Sequence, residues 1–114
     1  MVAALVIAGC AGMAEYPIGV PSSSAPKFYA SMEAVAASRG MQISRHPTSL
    51  NIQTKQGDWL QYMQRNGTIV LVVIAETEGL SEPQIEQRKG QLKQLSDELM
   101  GEAQKTATQA AAFD

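Results

Sequence analysis

A chain of 114 residues has room for one domain, so a multidomain reading is excluded. Its apolar content of 45% supports a packed core, while 18% charged residues and a net charge of -2 supply neither a basic field for nucleic acid nor an acidic run for cations. No apolar stretch approaches the ~18 residues of a membrane-spanning helix.

Cys10 is the only cysteine, which excludes an intramolecular disulfide and every multi-cysteine zinc site. Residues 2–9 are uncharged, aliphatic or small, and close on Ala8-Gly9, the small-residue pattern at which secretory segments are cleaved. The run Leu5-Val6-Ile7-Ala8-Gly9-Cys10 resembles the lipobox of bacterial lipoproteins. The resemblance implies a diacylglyceryl group on the Cys10 thiol, cleavage on its amino side and a mature protein anchored outside the cytoplasm. It covers ten residues and departs from the family's pattern, because residues 1–9 contain no Lys or Arg and only a short apolar core. Translation is therefore expected to begin upstream of Met1. At ~0.8 kcal/mol per buried methylene, two acyl chains hold a protein where one does not. Ala11 follows the cysteine where inner-membrane lipoproteins commonly carry Asp, so the expected location is the outer membrane, facing the periplasm. The competing reading makes residues 1–14 a short buried segment with an inert thiol.

Residues 11–25 contain Gly12, Pro17, Gly19, Pro21 and three consecutive serines, which punctuate regular structure. The expected boundaries are a signal segment at 1–9, the lipidated cysteine with a flexible tether at 10–25, one domain at 26–104 and a tail at 105–114. As a coil the tether holds the domain on the order of 20 Å from the bilayer. Tyr16, Ile18 and Val20 offer the alternative that it folds back onto the domain.

Ser24 followed by Pro26 reads as a helix start. Phe28, Met32, Val35 and Ala36 recur at helical spacing up to the stop at Gly40, predicting a first helix over 26–39. Four segments with strand character follow, at 41–46, 49–55, 58–64 and 68–75, separated by Pro47-Thr48, Gln56-Gly57 and Asn66-Gly67. Asn-Gly predicts a two-residue hairpin with Arg65 opposite Thr68. Ser81, with Gln84 three residues on, forms a capping-box pattern. It opens a second helix with the apolar stripe Ile85, Leu92, Leu95, Leu99 and Ala103, a core stripe and not a coiled-coil seam. The expected fold is α+β: two layers in the order αββββα, a four-strand antiparallel meander with both helices on one face.

Two-residue turns carried through the meander place Met41, Ile43, Leu50, Ile52, Trp59, Met63, Val70, Val72 and Ile74 on one face. Its apolar residues come from all four strands, so it is the expected core. The opposite face then carries Gln42, Ser44, Ser49, Asn51 and Gln53, beside Leu60, Tyr62, Ile69, Leu71 and Val73. These last five are the expected partner-binding surface, next to a fourth strand left as an open edge. The expected cover is a partner protein, a second copy of the chain, or Tyr16, Ile18 and Val20.

Catalytic chemistry is not legible. His46 stands alone before a turn, and Ser22 to Ser24 precede no base. Asp58 reads as a turn residue pairing with Lys55, and Glu76 and Glu78 as charges that keep the fourth strand's edge soluble. The nine glycines form no phosphate-cradling pattern, so no cofactor or metal is expected. The sequence supports a small non-enzymatic envelope lipoprotein that binds a protein partner or envelope assembly. The alternative is a lipid- or small-ligand-binding lipoprotein with a pocket lined by Met32, Trp59 and Met63. An enzyme would need a clustered titratable pair.

Overall fold

A computed structural model describes residues 12–113, with side chains through Lys105. The lipobox and Cys10 lie outside the described residues. The chain forms strand β1 (Met13–Pro21), a 3-10 turn (Ser22–Ser24), helix α1 (Ala25–Ser38), strands β2 (Gln42–His46), β3 (Ser49–Gln53), β4 (Trp59–Arg65) and β5 (Thr68–Ile74), and helix α2 (Glu82–Phe113). The five strands make one sheet in the order β1-β5-β4-β3-β2, antiparallel at every pairing. The class is α+β as expected, with five strands in place of four.

The additional strand comes from the expected tether. β1 pairs with β5 from Met13↔Ile74 to Pro21↔Thr68 and closes the edge that the meander alone would leave open. Pro17 and Gly19 are accommodated because β1 is itself an edge, where only alternate amides have a partner to serve. The register shifts between Pro17 and Val20, and Gly19 sits there at φ 71, a left-handed conformation that glycine adopts without strain.

The hairpin between β4 and β5 turns on Asn66 (φ 53) and Gly67 (φ 82), with Arg65 opposite Thr68. The β3–β4 connection departs from expectation. Gln53 faces Trp59, and the five residues between them close as a loop in which the Thr54 amide donates to the Asp58 carbonyl at 2.9 Å and the Gly57 amide to the Thr54 carbonyl at 3.0 Å. A five-residue loop and a two-residue turn differ by an odd number, which moves every side chain of one strand to the other face. Leu50 and Ile52 therefore share a face with Tyr62 and Leu60.

That shift reverses the two faces of β4 and β5. Leu60, Tyr62, Ile69, Leu71 and Val73, expected to bind a partner, are fully buried in the core with Leu50 and Ile52. Against them pack Tyr29, Met32, Val35 and Ala36 of α1, and Leu92, Leu99 and Ala103 of α2. Tyr16, Ile18 and Val20 flank the same core, partly buried. Leu95, on the stripe expected for α2, is only partly buried.

Polar groups inside the core find partners. The Tyr29 hydroxyl donates to the Thr48 and Tyr62 carbonyls, 3.1 Å to each. The Tyr62 hydroxyl shares a 2.7 Å hydrogen bond with the buried Ser96 hydroxyl, and the Tyr62 ring stands edge-on to Phe28 at 5.5 Å between centroids. Burial raises the pKa of both tyrosines.

The helix boundaries follow their caps. At α2 the Ser81 amide donates to the Gln84 side chain at 2.8 Å and the Gln84 amide to Ser81 Oγ at 3.4 Å, the reciprocal capping box that the sequence signals. α2 continues through the expected tail to Phe113. At α1, Ser24 occupies the cap position but its hydroxyl makes no capping bond; the preceding 3-10 turn and Pro26 set the helix entry instead.

Candidate functional site: the open sheet face

Both helices lie over one side of the sheet, so side chains on the other side have no layer above them. The pairings arrange this open face in rows running across the strands from β1 to β2. Nearest Gly12 the row reads Met13, Ile74, Trp59, Gln53 and Gln42. The next reads Glu15, Val72, Gln61, Asn51 and Ser44, and the third Pro17, Val70, Met63, Ser49 and His46. The face is thus divided lengthwise: its β1-β5-β4 side is largely apolar and its β3-β2 side is polar.

On the apolar side Met13, Trp59, Met63, Val70 and Ile74 are half-buried, against the expectation that most of them would form the core. Val72 alone is closed off, at 3% exposure. Arg65 and Glu15 form an ion pair that reaches across β5 from β4 to β1. His46 is exposed and shares a 3.0 Å hydrogen bond with Ser44 Oγ, as fits a solvated polar margin.

The pocket expected between Met32, Trp59 and Met63 does not form. Met32 is completely buried under α1, while Trp59 and Met63 stand on the opposite side of the sheet. A different groove, about 710 Å³, opens between β1, α1 and α2, with Val20, Phe28, Met100 and Ala103 as apolar lining and Lys27, Asp97 and Gln104 among its polar residues.

Asp58 is the most elaborately held carboxylate. It is 2% exposed; Oδ2 accepts from Arg88 Nε at 2.8 Å and Oδ1 from the Glu76 amide at 2.7 Å. Its partner is therefore Arg88 of α2 and not Lys55, which is exposed. The group ties the β3–β4 loop, the end of β5 and the first turns of α2 together. Glu76 serves that junction, and the edge it was expected to protect is covered by β1.

Among the described residues, no three His, Cys, Asp or Glu side chains gather as a metal site, and no helix is long and apolar enough to cross a membrane. No family model and no curated protein matches the chain. The open face escaped sequence reasoning because β5, Thr-Ile-Val-Leu-Val-Val-Ile, is apolar on both sides and gives no alternation to orient it. The even-numbered apolar positions of β1, Ala14 to Val20, were the signal that this segment is a strand.

Proposed function

We propose that this chain is a bacterial envelope lipoprotein, anchored through Cys10, whose small non-enzymatic domain docks a protein partner on the open sheet face. One observation carries the docking reading. Met13, Trp59, Met63, Val70 and Ile74 remain half-exposed on a single face, while Met32 and Val35 of α1 and Leu92 and Leu99 of α2 are buried in the core on the other side. A folded chain gains by covering such a patch, and a partly apolar, partly polar mosaic suits a separable partner. The lipobox resemblance of residues 5–10 supplies the location.

The test is site-specific photo-crosslinking in cells. A photoreactive residue at Val70 should give a discrete protein adduct that Met63→Glu abolishes, and the same probe at Ala34, on the exposed side of α1, should give none. Equal adducts from both positions, or none from Val70, would refute docking on this face. A second reading, a lipid- or small-ligand-binding lipoprotein, draws on the groove between β1, α1 and α2. It predicts that envelope lipids raise the melting temperature and that Phe28→Gln removes the shift.

A further inference from the structure

We infer that the sheet end bearing Met13, Ile74 and Trp59 rests on the bilayer that holds Cys10, with the Trp59 indole at the headgroup level. This deepens the lipid-anchor reading and rests on it. The expected tether is already part of the fold at Gly12. The Gly12 carbonyl accepts from the Ala75 amide at 2.8 Å, and a Cβ at position 12 would lie 2.6 Å from Thr77 Cγ2 and 2.7 Å from the Ala75 carbonyl oxygen. The chain at Gly12 is therefore seated directly against the segment that follows β5.

From the Gly12 Cα to the Cys10 Cα is two peptide steps, at most ~7 Å. Acyl chains on the Cys10 thiol would hold this end of the sheet close to the bilayer surface, leaving little length for the domain to stand off. The first row of the open face lies at this end. Met13, Ile74 and Trp59 are cross-strand neighbours in it, and all three are half-buried and lack a covering layer. Tryptophan, with an apolar ring and one N–H donor, favours the membrane–water boundary. Exposed Glu76 and Glu78 follow β5 at the same end, and Lys55 is the exposed cation of the adjoining 54–58 loop. Among the described residues that end therefore has no basic cluster, and the contact is apolar and not an electrostatic grip on anionic lipid. The third row, with Val70 and Met63, stays clear for a protein.

Trp59 is the only tryptophan, so its fluorescence reports this contact directly. The full chain, expressed from its native gene in a bacterium that processes lipoproteins, is extracted, checked by intact mass and reconstituted into phosphatidylcholine vesicles with brominated acyl chains. Emission from Trp59 should be blue-shifted and strongly quenched relative to vesicles without bromine. In a Trp59→Phe, Met63→Trp variant the indole moves about 13 Å along β4 and should keep most of its emission. An acylated protein with unquenched Trp59 overturns the bilayer contact while leaving the anchor intact. Equal quenching at both positions overturns the end-on seat, and a mass without acyl chains overturns seat and anchor together.

Discussion

At the scale of single residues, buried polar groups do most of the positioning. Asp58 holds three segments through one carboxylate, and removing it strands the Glu76 amide and the Arg88 guanidinium. Asp58→Ala should cost about 3 kcal/mol in chemical denaturation, the range for breaking a buried ion pair. Asp58→Asn, which keeps an acceptor for the Glu76 amide, should cost clearly less. An Asp58→Ala protein of unchanged stability would mean that the junction contributes nothing.

Tyr62 sets a pH dependence with a definite sign. Burial raises its pKa in the folded state, so the folded chain keeps the phenolic proton at a pH where the unfolded chain, near 10, gives it up. The stability tied to Tyr62 is fully present below about pH 10 and is lost as pH rises beyond it. Denaturation midpoints should therefore fall on the alkaline side, together with the phenolate absorbance of unfolding. Tyr62→Phe should flatten that fall and cost about 1 kcal/mol at neutral pH through the lost Ser96 hydrogen bond.

At the scale of elements, turns decide what strands can do. Gly67 (φ 82) lies where a β-branched side chain is strained, so Gly67→Val should cost ~1 kcal/mol or more in equilibrium unfolding. A neutral result would require a different turn. The 54–58 loop acts more widely, because its odd length fixes which side of β4 faces the helices. Asn66-Gly67 was legible in the sequence, since a two-residue turn leaves a strong local signature. The Gln56-Gly57 signal marked a turn without marking its length, since that depends on Thr54 and Asp58 bonding across it.

At the scale of the molecule, the two faces of β5 have opposite roles despite similar composition. Leu71→Gln with Val73→Thr should unfold the domain or cost roughly 4 kcal/mol or more, by placing unpartnered polar groups in the core and removing packed volume. Val70→Gln with Ile74→Thr, on the open face, should leave circular dichroism and the melting temperature nearly unchanged. The opposite ranking would restore the face assignment that the two-residue turns imply.

Legible along the chain were the elements of residues 26–104, their order, the Asn66-Gly67 hairpin, the capping box at Ser81 and the α+β class, because each depends on residues within a few positions of one another; the run of α2 on to Phe113 was not. Tertiary structure alone decided three things. It recruited residues 13–21 as an edge strand despite Pro17 and Gly19, because β5 offered unpaired backbone groups that outweigh a weak local preference. It set the parity of the β3–β4 connection through hydrogen bonds that close the loop. It chose the buried side of β5, since a strand apolar on both faces carries no preference and the choice falls to whichever side the helices can cover.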